Sequence, residues 1–183
     1  PDFKRSKFIG RLFQDPLKGT APSMTIEENL IAVRLDQPPF TKGIMMNKSG
    51  QDTYAKEMVE QFDIRPADYN LPTSSLSGGN AQKLILARET ASKPDVILAS
   101  YPVRGLDIKA TESIHKILVN EKNRGAGVLL VSEDLDEIFQ LCDRVAVMYE
   151  GEFMGIVPIS RVNLETIGLA MSGAARMDGE PNA

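Results

Sequence analysis

A short run of small and polar residues, Leu76-Ser77-Gly78-Gly79-Asn80, carries the clearest chemical signal in the sequence and stands directly before a helix-forming segment. Glycine has no Cβ, so the backbone can approach a ligand closely here. The first amides of a helix point towards a bound anion, and the helix dipole favours negative charge at that end. Ser77 adds a hydroxyl. The run predicts a phosphate-binding helix start, and a plain turn that caps the helix is the alternative interpretation.

The segments around this run alternate between strand and helix patterns. Short apolar runs are typical of buried strands, and segments with helical spacing separate them. The strands are expected near 8–13, 96–99, 128–131 and 145–149, and the intervening helices over 80–92, 108–123 and 135–141. This spacing predicts a parallel sheet with crossover helices, in which the run at 145–149 is a third successive strand. The turn at Glu150-Gly151 predicts an antiparallel hairpin after it.

Composition narrows the class of protein. With 183 residues, 42% of them hydrophobic and 25% charged, the chain can bury the core of one domain. A net charge of -4 counts against a nucleic-acid surface, so no nucleic-acid partner is expected. The single cysteine, Cys142, excludes an internal disulfide. The first residues match neither a signal peptide nor an initiator sequence, which suggests a fragment.

Residues 76–89 resemble the signature motif and its helix in the ATP-binding cassettes of ABC transporters, specifically the simple-sugar and nucleoside importer branch. Further stretches match the family in order and spacing. Phe13-Gln14-Asp15-Pro16 resembles the Q-loop, and Arg104-Gly105-Leu106-Asp107 resembles the D-loop. The stretch 143–151 is similar to the strand and hairpin that follow the switch region.

The resemblance implies a fold and a division of the chain. The expected fold is α/β: a P-loop NTPase-like parallel sheet with crossover helices and an inserted helical signature subdomain, without the N-terminal part of the cassette. The expected divisions are a Q-loop segment at 1–35, the helical subdomain at 36–93, the remaining core with D-loop and switch region at 94–172, and a disordered tail at 173–183.

The phosphate cradle of the family is the part that the sequence lacks. That cradle is a glycine-rich loop with Lys and Ser or Thr, and in the family it lies upstream of the Q-loop. Residues 43–49 look superficially similar, but they lack the glycine before the lysine and lie downstream of Gln14. The resemblance therefore implies a degenerate second cassette, or a fragment without the P-loop.

Three positions inside the matched region depart from the family. Ser100 stands where the family has its metal-side aspartate, Tyr101 where it has its catalytic glutamate, and Glu133 where it has its switch histidine. A hydroxyl is a weaker Mg²⁺ ligand than a carboxylate, and a phenol is a poor base at neutral pH. Glu133 adds negative charge where an imidazole is wanted. We expect no ATPase activity from the residues of this chain.

The resemblance also implies a role that survives these losses. In the family two cassettes face each other head to tail, and each ATP lies between one cassette's cradle and the other's signature. Ser77, Gly78 and Gly79 are then expected to contact the γ-phosphate of ATP, held with Mg²⁺ by a partner cassette. Asn80, Gln14 and Asp107 are also expected to be cofactor-binding residues: Gln14 as the Q-loop glutamine that reaches the metal, and Asp107 in the D-loop that touches the partner cassette. Transmembrane permease subunits are the implied further partners, and the cytoplasmic side of the cell membrane the implied location, as a peripheral protein.

Two other functions fit parts of the sequence. One is a non-enzymatic relic or regulatory module that keeps the cassette fold without nucleotide. The other is a soluble ABC ATPase of DNA repair or translation, which shares the signature but fits the acidic balance less well. Nucleotide binding separates the relic from the transporter subunit. The transported solute never touches a cassette, so the sequence does not identify it.

Overall fold

The computed structural model describes residues 8–42 and 45–177. By its contacts the chain divides into two units, residues 1–131 and 132–183. The strands are β1 Ile9–Leu12, β2 Thr41–Lys42, β3 Met45–Met46, β4 Val96–Ser100, β5 Gly127–Val131, β6 Arg144–Tyr149 and β7 Glu152–Pro158. The helices are α1 Pro16–Gly19, α2 Ile26–Ile31, α3 Lys48–Gln61, α4 Gly78–Thr90, α5 Ile108–Arg124, α6 Leu135–Leu141 and α7 Leu164–Met171.

A parallel sheet in the order β1–β4–β5 is the frame of the first unit. Leu12 pairs with Ala99, and Ala99 pairs with Leu130, so all three strands run in one direction. Helix α5 is the crossover between β4 and β5. The predicted α/β fold with a parallel sheet is confirmed, and the weak alternation at 8–13 belongs to a strand of that sheet.

The third apolar run forms a hairpin within the second unit. Strand β6 pairs antiparallel with β7, from Arg144 opposite Pro158 to Tyr149 opposite Glu152. The predicted hairpin is therefore confirmed, whereas no parallel partner of the run at 145–149 is present among the described strands. The tight turn at Glu150 and Gly151, both with positive φ, brings the next strand back alongside β6 and provides its hydrogen bonds.

Buried side chains cover one face of the parallel sheet. Ile97 and Ala99 of β4 are fully buried, together with Leu12 of β1. On the opposite face Leu129 is 59% exposed and Val131 is 39% exposed. Parallel sheets ordinarily have both faces covered, because their strands are apolar on both sides. On this face of β5 two apolar side chains are therefore exposed in the described structure.

Helix α4 joins the two cores of the first unit. Leu84 and Ala87 belong to a cluster with residues of α2 and α3, among them Leu30 and Val59. Leu86 belongs to a second cluster formed mainly by the sheet and α5. All side chains of α4 from Ala81 to Ala87 are buried, so this helix is in contact with both cores, and a movement of it would be transmitted to them.

The second unit has a core of its own, in which side chains of β6, β7 and α7 are buried. Met177 is also part of it: the residue is 5% exposed, and its amide donates to the carbonyl of Met154 at 2.7 Å. The expectation of a disordered tail is therefore wrong as far as Met177, because an apolar side chain in that segment packs into this core. Residues 178–183 lie outside the described part of the chain. The other expected domain boundaries stay predictions.

Helix starts follow local rules where a suitable cap is present. Thr25 and Glu28 form the predicted capping box at the start of α2, with the Glu28 amide donating to Thr25 Oγ1 at 3.1 Å. Helix α3 begins at Lys48, earlier than the apolar spacing over 53–62 predicts. Its first residue forms a long-range ion pair, in which Lys48 Nζ donates to both carboxylate oxygens of Glu27 at 2.7 and 2.6 Å.

Replacing Lys48 with methionine is expected to lower the free energy of unfolding by about 1–3 kcal/mol, since the Glu27 carboxylate would stay buried without its partner. The effect is expected below that of a fully buried pair, because the Lys48 side chain is 65% exposed. Urea unfolding at neutral pH measures the change. Lys56→Met, at an exposed position of the same helix, is the matched control, and an equal effect of both substitutions would contradict the role of the pair.

Candidate functional site

The start of α4 is an exposed helix N-terminus held in a defined conformation. Ser77 is its N-cap: the hydroxyl accepts from the Asn80 amide at 3.4 Å and from Asn80 Nδ2 at 2.9 Å. Ser77 and Gly78 are exposed, whereas Gly79 is buried. Hydrogen bonding of the cap orients the serine, and the first amides of a helix have no partner within it. The arrangement suits an anion at this turn.

Residues 63–65 form a neighbouring turn that is hydrogen-bonded to the start of α4. Asn80 Oδ1 accepts from the Arg65 amide at 2.8 Å. Lys83, only 7% exposed, donates from Nζ to the Asp63 carbonyl at 3.0 Å and forms an ion pair with the Asp63 carboxylate at 3.5 Å. The polar groups of Asn80 and Lys83 therefore position residues 63–65 beside the signature turn, residues 76–80.

Asp63 provides the negative charge of this neighbouring turn. Arg65 Nε donates to its carboxylate at 2.8 Å, and this bond, followed by the positive charge of Lys83, lowers the pKa of Asp63 below its ordinary value. A lowered pKa means that the contacts stabilise the fold above the ordinary carboxyl range and lose this contribution as the pH falls through the lowered value. At neutral pH Asp63 is charged, and it balances the two cations next to the helix start.

Asp107, the predicted D-loop residue, lies beside this helix start at the beginning of the next helix. It is the N-cap of α5, and its Oδ1 accepts from the Ala110 amide at 2.9 Å. The two helix starts are in close contact, because a Cβ on Gly79 would lie 2.8 Å from Ala110 Cβ. Together they line a cavity of about 140 Å³ whose walls include Ser77, Gly79, Asn80 and Asp107. Most of the predicted nucleotide-site residues are therefore brought together.

Gln14 lies in a different pocket. It is exposed, and with Phe13, Asp15, Pro16, Lys18 and Arg104 it lines an open pocket of about 540 Å³. The predicted set thus divides into a signature pocket, defined by the cavity at Ser77 and Asp107, and a Q-loop pocket, defined by the cavity at Gln14 and Arg104. The Q-loop pocket is the larger of the two.

The end of β4 provides no acid for metal binding or proton transfer. Ser100 is the last residue of the strand, and Tyr101 follows it with a φ of +48° and donates its amide to the Val131 carbonyl at 2.8 Å. The guanidinium carbon of Arg104 lies 5.8 Å from the centre of the Tyr101 ring. A hydroxyl, a phenol and a guanidinium do not form a Mg²⁺ donor set. These residues do not fit the metal that the family uses.

Glu133 belongs to the other unit, residues 132–183, where it is exposed. Over residues 8–42 and 45–177 there is no group of three or more His, Cys, Asp or Glu side chains arranged to hold a metal ion. In the same ranges no helix is long and apolar enough to cross a bilayer.

Sequence reasoning missed several residues of the two pockets. Arg65 and Lys109 line the signature pocket. Gln82 is 1% exposed and donates from Nε2 to the Phe13 carbonyl at 3.1 Å, although the two residues are 69 positions apart. The polar type of Gln82 in the largely apolar segment 81–87 is a signal in the sequence, but its hydrogen-bond partner depends on the fold.

Comparisons with known proteins identify the family of the chain. The sequence model of the family described as "ABC transporter" matches residues 3–103. The nucleoside import ATP-binding protein NupA of Lactococcus lactis subsp. cremoris is 39% identical over 155 residues, which is 85% of this chain and 31% of that protein. The guanosine import ATP-binding protein NupO of Bacillus subtilis is 34% identical over 171 residues, covering 93% of this chain and 34% of that protein.

Solved structures show the same fold. The ATP-binding cassette MJ0796, a dimer in a post-hydrolysis state bound to ADP and Pi, superposes with a TM-score of 0.68 at 26% identity, covering 86% of this chain and 66% of its own. CbiO1 from Clostridium perfringens gives a TM-score of 0.69 at 23% identity, covering 91% of this chain and 63% of its own. The chain spans about a third of the length of the curated relatives described above. It belongs to the ATP-binding cassette family of ABC transporters, of whose cassette it is a part.

Proposed function

We propose that this chain completes an ATP site whose phosphate cradle and metal belong to a partner cassette. Ser77, Gly78 and Gly79, at the start of α4, contact the terminal phosphate of the bound ATP. The chain thereby acts as the ATP-binding part of an importer for sugars or nucleosides, since the relatives it resembles are named as nucleoside and sugar import ATP-binding proteins. It works with transmembrane permease subunits, at the cytoplasmic face of the membrane.

The observation that carries this proposal is the contrast between two parts of the chain, the turn at the start of α4 and the end of β4. The turn at Ser77 and Gly78 is exposed and rigidly seated, as a contact surface for a phosphate requires. At Ser100 and Tyr101 no carboxylate is present to hold Mg²⁺ or to activate water. The chain is therefore equipped for binding a phosphate and not for hydrolysing ATP.

The residues of this chain fit the terminal phosphate of ATP but not Mg²⁺. Preorganised donors at the signature turn stabilise negative charge on the terminal phosphate, which is the main contribution a protein makes to phosphoryl transfer. Bound ATP supplies the phosphoryl group, and the partner supplies the metal ligands. In this chain Ser77 and the first amides of α4 bind and orient the phosphate. Asp107 caps the neighbouring helix α5 beside this turn, and Gln14 lies in the separate Q-loop pocket.

Ser77→Arg is expected to reduce the ATPase activity of a complete partner cassette mixed with this chain by at least tenfold. A long cation at this position fills the turn and removes the N-cap. Steady-state phosphate release with ATP and Mg²⁺ measures the effect.

Two further variants separate the causes of that loss. Ser74→Arg places the same side chain on the exposed approach to the turn and is expected to leave the activity unchanged. Ser77→Thr keeps the hydroxyl cap and is expected to retain most of the activity. Unchanged partner activity with Ser77→Arg would contradict the proposed function.

Calorimetry distinguishes this function from a relic that has lost nucleotide. Titration of ATP and Mg²⁺ into the chain alone is expected to give weak or no binding, because no glycine-rich cradle with Lys and Ser or Thr occurs in the sequence. Titration in the presence of a complete partner cassette is expected to give tighter binding than the partner shows alone. A partner affinity that does not change when this chain is added would favour the relic.

A further inference from the structure

Gln82 is a buried polar side chain that the proposed function does not use. It is 1% exposed, and its Nε2 donates to the carbonyl of Phe13 at 3.1 Å. Its other polar atom, Oε1, is buried and has no hydrogen-bond partner among the residues that the structure describes. The amide thus makes one long-range bond and leaves an acceptor unsatisfied.

Stability alone does not account for glutamine at this position. A buried acceptor without a partner destabilises the folded state, and native proteins contain few such groups. Methionine has a similar length and shape and leaves no unsatisfied oxygen. The glutamine is understandable if its bond to Phe13 serves a purpose other than folding.

The position of that bond suggests the purpose. The Phe13 carbonyl directly precedes Gln14, so the bond holds the backbone of the Q-loop. One helical turn further along α4, Ile85 packs against the segment that follows, because a Cβ on Gly19 would lie 2.6 Å from Ile85 Cδ1. Ser77 caps the same helix, a rigid rod of 13 residues. The phosphate-binding start of α4 and the backbone of the Q-loop are therefore mechanically connected.

We propose that Gln82 is a positioning residue that couples the start of α4 to the Q-loop backbone, so that α4 and the Phe13 carbonyl move together when the helix start engages a phosphate. The proposal rests on the proposed phosphate contact at Ser77. The hydrogen bond fixes the direction in which the Phe13 carbonyl points, and with it the placement of Gln14 in the Q-loop pocket. Packing at Ile85 alone resists displacement of the segment but does not orient this carbonyl.

The first experiment is hydrogen exchange of the free chain with Gln82→Met. The amides of Leu17 and Lys18, which form the turn after Gln14, are expected to exchange at least tenfold faster, while the midpoint of urea unfolding stays close to that of the wild type. Gln82→Leu is a second variant with the same expectation. Exchange of these amides at the wild-type rate in both variants would overturn the proposal.

Gln51→Met is the matched control. Gln51 is 5% exposed and donates from Nε2 to the Phe40 carbonyl at 3.1 Å, the same kind of bond in another part of the unit. Its loss is expected to leave the exchange of Leu17 and Lys18 unchanged. Faster exchange there in the Gln51 variant would show a general loosening of the fold and would count against a specific coupling by Gln82.

The second experiment adds a complete partner cassette with ATP and Mg²⁺. Gln82→Met is expected to associate with the partner within threefold of the wild-type affinity but to lose the ATP-dependent change in exchange at Leu17 and Lys18. Ser77→Arg is expected to lose association itself. A wild-type exchange response in the Gln82 variant would reject the coupling and leave the proposed function standing, whereas unchanged association of Ser77→Arg would reject the proposed function.

Discussion

Leu86→Ala is expected to lower the free energy of unfolding by about 2–5 kcal/mol, as deletion of a fully buried leucine typically does. Leu86 is 0% exposed and belongs to the cluster that contains Ile97 and Ala99 of the sheet and Ile114 of α5. Because the surrounding backbone belongs to a sheet and two helices, it can collapse only partly into the space left by the removed methyl groups. Urea unfolding followed by circular dichroism measures the loss.

The control for Leu86 is the same substitution on the open face of the sheet. Leu129 is 59% exposed, so Leu129→Ala is expected to change the free energy of unfolding by about 0.5 kcal/mol or less. If the two substitutions lowered the free energy of unfolding equally, α4 would not form part of the core in solution. The core would then not support the signature turn at the start of this helix.

Gly79→Ala is expected to destabilise the first unit by about 1–3 kcal/mol, although alanine is the better helix former. The added Cβ would lie 2.8 Å from Ala110 Cβ, and a Cβ cannot move without its backbone. Helices α4 and α5 would have to separate, and the signature pocket would change shape. We therefore also expect this variant to associate more weakly with a partner cassette.

A double-mutant cycle identifies the clash as the cause. Ala110→Gly alone is expected to cost about 1 kcal/mol, the usual difference between alanine and glycine in a helix. Combined with Gly79→Ala it removes the opposing Cβ, so the double variant is expected to be more stable than the sum of the two single changes by about 1 kcal/mol or more. Additive effects in urea unfolding would contradict the close approach of the helices.

Gly168→Ala is the matched control for Gly79. Gly168 lies in α7, and a Cβ built on it meets no atom within 4 Å. Here the substitution is expected to stabilise the protein by about 0.4–1 kcal/mol, through the lower entropy of the unfolded chain. The change in the free energy of unfolding is thus expected to have opposite signs at two helical glycines. The reason is that Gly79 faces Ala110, whereas Gly168 faces open space.

Features controlled by neighbouring residues could be predicted from the sequence. The capping box at Thr25 and Glu28 is present, since both partners lie in one helical turn. The helix start at Ser77 is also as predicted, because the cap and its recipient amide are three residues apart. The apolar run of β4 is buried in a parallel sheet for a comparable reason: its composition suits a strand between two others.

Features that depend on distant partners were decided only in three dimensions. The run at 145–149 has the same apolar character as β4, and only the turn at Glu150 and Gly151 predicts its pairing with β7, since an apolar run by itself does not specify which neighbour provides its hydrogen bonds. The start of α3 at Lys48 depends on Glu27, a residue of another helix. The Met177 side chain is buried in the apolar cluster of the second unit, which a small, polar tail does not reveal.

The candidate site shows the same division within a few residues. The glycine and serine types at 77–79 and the substitutions at Ser100 and Tyr101 are properties of the chain, so the sequence alone indicates a phosphate-binding turn and an end of β4 without a carboxylate. The contact of Gly79 with Ala110 and the bond from Gln82 to Phe13 exist only because packing brings separate segments within a few ångströms. Residue types and short spacings determine the local chemistry, so the sequence indicates it. The connection between the signature and the Q-loop depends on the packing of separate segments around α4.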